Sequence, residues 1–422
     1  MLNRRQSPVI QEVTRLVLPT PQKVALDNGI PVYLMDYPDQ DIVKVEVVFN
    51  CGRAEETKRL TSRATARMLR EGSRLYTAAE MAELIDFYGG TVSAPAGLDT
   101  SNFVLYSLKK YADELIPLFA HMVLEPAFPE AELETFKETS TQELLLDLDK
   151  EEVLAYRQIT ELIFGESHPY GYNSVLENYL ALTPEDLFEY HRNWYTPANC
   201  LIFASGHADA GVLALLNKNF GAFRREGPTR VEPTPPPMEP SGKVHMKHPG
   251  SLQTAIKIGQ RMFGRKHPDY NGLFVLNTIL GGYFGSRLMT NIREKRGFTY
   301  NIYSTLDAMQ HDGCMYIATE VNNGKKAVTI RHIKAEMQAL CDEPVPEEEL
   351  SMVRNYLLGM LLNGLDGPLN SSDVVKSLVV DDLPLEEFDN LVFTIRNITA
   401  EQLMLLARRY LRPETYLTVT VG

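Results

Sequence analysis

The chain has 422 residues and a formal net charge of -13. With 44% hydrophobic and 23% charged residues, it has the composition of a soluble globular protein, and its length predicts roughly two to four domains. The acidity argues against nonspecific nucleic-acid binding, and no apolar run approaches the ~20 residues of a membrane span. The opening MLNRRQSPVIQEV lacks the apolar stretch of a secretory signal, and no two cysteines form a CxxC pair, so we expect a cytoplasmic location with buried free thiols.

The first predicted elements are a strand at 44–52, KVEVVFNCG, and a helix at 59–73, RLTSRATARMLREGS. In the helix, the arginines at positions 59, 63, 67 and 70 project within a sector of about 80° at roughly 100° per residue. An apolar stripe of Leu60, Ala64 and Met68 lies beside them. An acidic protein is therefore expected to carry one strongly basic helix face.

Further strands are predicted at 102–108, NFVLYSL, and at 199–206, NCLIFASG, where apolar and β-branched residues alternate or run together. Between them, LTPEDL begins a helix, with Thr183 as N-cap and Pro184 at the first helical position. Later in the chain, the Asp-Gly pair at 312–313 indicates a hairpin turn.

A proline-rich segment divides the chain into two similar halves. Residues 226–242, EGPTRVEPTPPPMEPSG, lack apolar periodicity and are typical of an extended linker. EPAFPEAEL, from Glu125, matches EPVPEEEL, from Glu343. LTPEDLFEYHRNWYTPANCLIFASG, from Leu182, matches ITAEQLMLLARRYLRPETYLTVTVG, from Ile398, at a similar offset of about 217 residues. This pattern indicates the duplication of one domain.

The pattern of strand runs and paired long helices predicts an α+β architecture. We expect two homologous domains, residues 1–225 and 243–422, each an antiparallel sheet with helices packed on it. The two domains are expected to face each other across a chamber.

Beyond these patterns, the sequence resembles the pitrilysin/insulinase family of zinc peptidases, whose signature is an inverted H-x-x-E-H motif. The resemblance covers nearly the whole chain. It rests on LDNGIPVYL (26–34), MLREGS (68–73), HPYGYNSV (168–175) and, most specifically, GGYFGSRLMTNIREKRGFTYNIYS (281–304). By size, the chain is similar to the two-domain members that resemble mitochondrial processing peptidase subunits and bacterial paired subunits.

The resemblance fails at the positions that should bind zinc. Aligned on MLREGS, the places of the two histidine ligands and the catalytic glutamate hold Arg63, Arg67 and Ala66. Arginine has no lone pair for a metal, and alanine cannot take a proton from water. Glu143 stands near the place of the glutamate that completes the family's zinc shell. One carboxylate is not a zinc site, so we expect no metal in this chain.

One feature of the family's second domain is present. In REKRGFTY, Arg293 and Tyr300 resemble the arginine–tyrosine pair that this domain brings to the substrate. The tyrosine hydroxyl can donate to a scissile carbonyl, and the arginine can bind a backbone carbonyl or a carboxylate. The alternative is that both residues only cap and pack a helix–strand corner.

Other residues with the required chemistry form no recognisable site. His245 and His248 would lie on opposite faces of a strand, and His168 is expected to pack a loop. The glycine-rich turn at 281–285 is not followed by the lysine of a P-loop.

The resemblance therefore implies a zinc-free subunit of a two-component zinc metalloendopeptidase, inactive by itself. It would bind extended peptide through Arg293 and Tyr300 for a homologous partner that carries zinc and H-x-x-E-H, as a heterodimer; a homodimer is the alternative in isolation. Two other interpretations are a non-catalytic peptide-binding or assembly scaffold and an enzyme with an unrecognised site.

The basic helix face has two interpretations. Arg63 or Arg67 could pair with Glu143 and hold the vacant zinc site closed, since a buried carboxylate needs a cation. Alternatively, all four arginines form a solvated face.

Overall fold

The computed structural model describes residue 13 and residues 15–95, 97–230, 232–233 and 242–422. Most of the proline-rich segment 226–242 lies outside the described residues. The linker and the domain boundaries at 225 and 243 therefore stay predictions.

The first half builds one sheet with helices around it. Its strands in the described residues are β1 Gln22–Ala25, β2 Pro31–Asp36, β3 Ile42–Phe49, β4 Thr91–Ser93, β5 Ser101–Leu108 and β6 Cys200–Gly206. They form a sheet in the order β1-β2-β6-β3-β5-β4. Its helices are α1 Thr61–Met68, α2 Ala78–Phe87, α3 Ala112–Leu124, α4 Glu130–Leu148, α5 Glu151–Phe164, α6 Leu176–Leu180, α7 Pro184–Trp194 and α8 Ala210–Phe220.

The second half repeats this plan. Its described strands are β7 Lys243–Met246, β8 Gln253–Met262, β9 Ile302–Ala308, β10 Gly313–Asn322 and β11 Leu417–Val421, in the order β7-β11-β8-β10-β9. Its helices are α9 Tyr270–Asn277, α10 Lys326–Asp342, α11 Glu347–Gly364, α12 Gly367–Val380, α13 Glu387–Asn397 and α14 Ala400–Tyr410. Two π-helical segments, Thr278–Gly282 and Met289–Glu294, stand between α9 and β9.

The two sheets have the same topology once β1 is set aside. In each, the first pair of strands is parallel, β2 with β6 and β7 with β11, and the other pairs are antiparallel. The α+β fold of two similar domains is thus confirmed, with the refinement that each sheet contains one parallel pair. The predicted hairpin is also present, since β9 and β10 are antiparallel and joined through Asp312.

The duplicated sequences supply equivalent local signals. Thr183 and Thr399 are the N-caps of α7 and α14, and their hydroxyls accept hydrogen bonds from the backbone N–H of Asp186 and Gln402. These caps satisfy donors that a helix start leaves unpaired, and α7 begins where the sequence predicts.

Each half gives a helix to the sheet of the other half. Helix α5 packs against β8 and β11, whereas α12 packs against β2 and β6. The strands β3 and β8 are therefore buried on both faces: Val45 and Val47 face the core of the first half, while Val48 joins the core of the second. Two pockets, of about 380 and 120 Å³, are lined by residues of both halves, and the chamber expected between the halves stays a prediction.

A buried lysine accompanies each exchanged helix. Lys44 of β3 lies 2.6 Å from a carboxylate oxygen of Asp373 in α12, and Lys257 of β8 lies 3.3 Å from Glu152 in α5. Both lysines are 3% exposed. Because an ammonium group is costly to bury without a partner, these contacts join the halves at two related places.

None of the helices of the described residues is long and apolar enough to cross a bilayer.

Candidate functional site

The helix with the basic face is shorter than its sequence pattern suggests. Helix α1 runs only over Thr61–Met68, so Arg59 precedes it and Arg70 follows it. Glu56 sets the start, because its carboxylate accepts from the backbone N–H of Leu60 and Ser62 at 3.1 and 3.0 Å. The prediction of a helix over 59–73 was therefore wrong in its length. The apolar stripe was right, since Leu60, Ala64 and Met68 are at most 2% exposed.

Arg63, Arg67 and Glu143 lie together in a surface pocket of about 390 Å³, which we call the arginine pocket. Ala66, on the same helix, is only 2% exposed, so its side chain is buried and does not line the arginine pocket. Helix α4 supplies the opposite wall, where Glu132 and Glu143 stand three helical turns apart on one face. Three positions that align with the family's zinc ligands, Arg63, Arg67 and Glu143, therefore line the same pocket.

The arginines do not pair with Glu143. Within the described residues, no carboxylate lies within 4.0 Å of the guanidinium group of Arg63 or Arg67, and all three side chains are exposed. Arg63 makes one long hydrogen bond, 3.5 Å from its Nη1 to the hydroxyl of Tyr179. The closed, ion-paired pocket considered from the sequence was therefore wrong, and the arginines form a solvated face.

The residues of the arginine pocket do not fit a catalytic zinc ion. Two guanidinium groups occupy the places of neutral nitrogen ligands, and no base stands at position 66. In the part of the chain that the structure describes, no group of three His, Cys, Asp or Glu residues is arranged to hold a metal. Burial raises the pKa of Glu71 at the pocket wall, against the opposing charge of Arg70. The lining of the pocket supplies charged side chains but, among the described residues, no set of zinc ligands.

Sequence reasoning missed Glu71 and Glu132, which line the same pocket. A signal for Glu132 was available, because positions 132, 136, 139 and 143 fall on one helical face. Glu71 follows Arg70 directly, but only the fold shows that it turns toward the pocket.

Arg293 and Tyr300 flank a turn that leads into an edge strand. Arg293 is the last but one residue of the second π-helical segment, Gly297 turns the chain with φ of +60°, and Tyr300 stands two residues before β9. The guanidinium group of Arg293 lies 4.7 Å from the ring centre of Phe284. Tyr300 is 92% exposed, so its ring does not pack the corner.

The hydroxyl-bearing residue Tyr300 also borders the smaller cavity between the halves. Its lining includes Tyr303 and Glu320 of the second half and Glu152 of the first. Arg293 and Tyr300 do not line the arginine pocket, which is built from the first half alone. The two candidate regions are thus separate surfaces of one molecule.

The remaining candidates behave as structural residues. His245 contacts Thr420 at 3.0 Å and His248 contacts Glu151 at 3.2 Å, so the two histidines have different partners. His168 is 3% exposed, and burial, followed by the charge of Arg261, lowers its pKa to about 4. All four cysteines are free and buried, as expected.

Comparisons with known proteins agree with this geometry. The model named insulinase (peptidase family M16) matches residues 32–164, and the model named peptidase M16 inactive domain matches residues 181–357. An uncharacterized zinc protease of Mycobacterium leprae is 25% identical over 404 residues, which are 92% of this chain and 89% of that protein. The non-peptidase homolog YmxG of Helicobacter pylori is 24% identical over 305 residues, 70% of this chain and 68% of that protein.

Among solved structures, the peptidase M16 inactive domain from Pseudomonas fluorescens aligns with a TM-score of 0.87. The alignment covers 95% of this chain and 98% of that one, at 23% identity. At this identity, the likeness establishes the fold.

Proposed function

Because the chain belongs to peptidase family M16, the insulinase family, we propose that it is the zinc-free subunit of a two-component metalloendopeptidase. Its likeness to proteins named inactive domain and non-peptidase homolog supports a catalytically inactive member of the family. One observation carries the proposal: zinc ligands are missing from the arginine pocket, while Arg293 and Tyr300 are retained and Tyr300 is almost fully exposed.

In the proposed complex, the homologous partner carries H-x-x-E-H, and its zinc supplies the activated water. This chain contributes groups that hold the peptide. The hydroxyl of Tyr300 donates to the scissile carbonyl and stabilises the charge that develops on it, and Arg293 binds a backbone carbonyl or a carboxylate of the peptide. Arg293 belongs to a π-helical segment and Tyr300 stands two residues before β9, so both groups are held next to regular secondary structure, which favours fixed positions.

The neighbouring strand offers a place for an extended peptide. Strand β9 is the last strand in its sheet, and among the described residues no strand pairs with its outer edge. An added peptide strand would satisfy the free backbone groups of that edge. Since Tyr300 lies two residues before β9, such a peptide would run past its hydroxyl.

We place the protein in the cytoplasm, because a reducing compartment keeps four free thiols reduced. The expected assembly is a heterodimer, with self-association as the alternative when the partner is missing. We expect no nucleic-acid partner.

The test is reconstitution with a homologous chain of ~400 residues that carries H-x-x-E-H. Each pure chain and the mixture are assayed for cleavage of a peptide library, with zinc content measured by elemental analysis. We expect less than about 0.1 zinc per molecule of this chain and cleavage only by the mixture. Chelator-sensitive cleavage by this chain alone would contradict the proposal. A stable heterodimer in which this chain neither binds peptide nor changes the partner's activity would favour the assembly scaffold instead.

A further inference from the structure

A cluster of cations surrounds the turn that carries Tyr300. Lys295 and Arg296 stand in the turn, and Lys325, Lys326 and Arg331 stand on and just before the first two turns of α10. We call these five residues the basic surface. Four of them are exposed and Lys326 is half-buried. The protein as a whole has a net charge of -13, so the basic surface carries the opposite charge.

Direct contacts hold the two segments together. The Nε of Arg296 donates to the Nε2 of His332 at 3.2 Å, and the ring of Phe298 packs 6.0 Å from the ring of His332. The ammonium group of Lys325 lies 5.0 Å from the ring centre of Phe298. The basic surface is therefore one continuous part of the molecule, and it begins within five residues of Tyr300.

The charges of the basic surface are only partly compensated: burial raises the pKa of Glu336, and the charges of Arg287, Arg296 and Lys295 oppose that rise. Across the described residues, none of its five side chains lies within 4.0 Å of a carboxylate. Glu336, the acidic group packed behind the turn, accepts a hydrogen bond from Asn291 at 2.8 Å, and Glu294 is exposed without an ion pair. Burial, followed by the charges of Arg296 and Arg331, lowers the pKa of His332, whose Nε2 accepts the hydrogen bond from Arg296.

The related segment of the first half shows what compensation would look like. Lys109 and Lys110 lie in the short turn before α3, and the corresponding turn before α10 is Asn323–Lys325. In the first half, Lys109 lies 2.6 Å from Asp209, and the first turn of α3 contains two acidic residues. Helix α10 has no acidic residue in its first turn. Since lysines at a helix N-terminus oppose the helix dipole, this arrangement costs stability and suggests another role.

We propose that the basic surface binds acidic side chains of the peptide that Tyr300 contacts. The inference rests on the proposed function and adds a substrate class to it: peptides with Asp or Glu residues close to the scissile bond. Charge complementarity is the argument, because clustered unpaired cations attract and orient an anionic segment before it reaches the site. The contiguity with Tyr300 favours a peptide over a nucleic acid or a membrane, which would need a basic area independent of the site.

The experiment compares two labelled peptides that differ only in three Glu residues replaced by Gln. Binding is measured by fluorescence anisotropy with this chain and with the assembled complex, at low and high salt. The variant is the triple substitution Lys325→Gln, Lys326→Gln and Arg331→Gln. The control is Lys218→Gln, at an exposed lysine on α8 of the first half.

We expect the acidic peptide to bind wild type about tenfold more tightly than the neutral one at low salt, since each exposed charge pair contributes little alone. High salt and the triple substitution should both remove the preference, whereas the control variant keeps it. The melting temperature of the triple variant should be equal or higher, because its changes relieve charge at a helix N-terminus.

Equal binding of the two peptides, together with cleavage that depends on Tyr300, would overturn this inference and leave the proposed function standing. Absence of binding and cleavage with either peptide would defeat both. Stronger binding of anionic vesicles or single-stranded DNA than of the acidic peptide, lost in the triple variant, would assign the basic surface to those ligands and also overturn the inference.

Discussion

In the first half, α4 presents a polar face to the arginine pocket, and at an offset of about 217 residues α11 presents an apolar face to solvent. The polar face includes Thr135, Thr139 and Glu143. The corresponding positions are Met352, Tyr356 and Met360, which are 57, 41 and 40% exposed. The same fold carries either face, so these positions are not needed for the core. Surfaces that the fold does not require are free to diverge, and the candidate functional residues lie on them.

The interface between the halves shows the opposite behaviour, because its lysines are retained in both. Lys44 belongs to a network in which Glu46, 2% exposed, also pairs with Lys376 at 2.9 Å. Within the described residues, Lys257 forms its ion pair with Glu152, which is half-exposed, and its ammonium group also lies 5.3–5.8 Å from the ring centres of Tyr156, Tyr303 and Tyr316. Burial lowers the pKa of Lys257. The first contact is thus a buried network, and the second is a single pair open to water.

The largest expected effect follows from this difference. Replacing both Lys44 and Lys376 by Met leaves the Glu46 carboxylate buried without a cation, which should cost about 3–5 kcal/mol in the free energy of unfolding. Lys257→Met leaves a carboxylate that water can reach, so we expect a change within about 1 kcal/mol. Urea unfolding of the two variants measures both. Equal losses would show that the two contacts are energetically alike and would break the comparison.

The second prediction concerns Arg293 and Tyr300, the candidate substrate-binding residues of the second half. In an active complex, Tyr300→Phe should lower the rate by up to about 10²–10³, because one donor to the developing charge is lost, at 2.7–4 kcal/mol. Arg293→Ala should reduce the rate as well, while both variants stay folded because neither side chain belongs to the core. The matched control is Tyr111→Phe in the first half. Unchanged rates in both site variants would remove the pair from the mechanism.

The third prediction uses a buried histidine that only the first half contains. His191 on α7 is 4% exposed, and the related position on α14 is Ala407. The Nε2 of His191 donates to the carbonyl of Val123 at 2.8 Å, and its Nδ1 accepts from Arg225 at 3.3 Å. Burial lowers its pKa to about 3, so the folded state keeps it neutral.

The unfolded chain binds a proton at this histidine below pH ~6.5, whereas the folded chain does not until about pH 3. The contribution of neutral His191 to the free energy of unfolding is therefore fully present above pH ~6.5. It falls by about 1.4 kcal/mol per pH unit as the pH drops toward 3. The only tryptophan in the sequence, Trp194, lies on the same helix and reports the first half by fluorescence. His191→Gln should have a shallower acid transition. An identical slope in the variant would mean that other groups dominate.

Much of the scaffold was predictable because local signals agree with the global fold. The N-cap at Thr183, the apolar runs of the buried strands and the duplicated motifs all indicate elements that the structure contains. The length of α1 was not predictable, since a carboxylate at Glu56 sets its start through hydrogen bonds that only the folded chain forms. The exchange of α5 and α12 depends on contacts between residues far apart in the sequence, such as 105 positions for Lys257 with Glu152 and 329 positions for Lys44 with Asp373. The basic surface is spread over 295–331 and becomes one surface only when the turn packs on α10.

The smallest expected effect separates the two interpretations of the arginine pocket. Glu143 is exposed and has no ion pair within 4.0 Å among the described residues, so Glu143→Ala should change the free energy of unfolding by no more than about 0.5 kcal/mol. A buried pair with Arg63 or Arg67 would instead cost about 3–5 kcal/mol when broken. The matched control is Glu138→Ala, an exposed position on the same helix. If Glu143→Ala alone lowered the free energy of unfolding by more than about 2 kcal/mol, Glu143 would have to pair with Arg63 or Arg67 after all. A small loss for both would mean that α4 tolerates the removal of an exposed carboxylate, whether or not that carboxylate lines the arginine pocket.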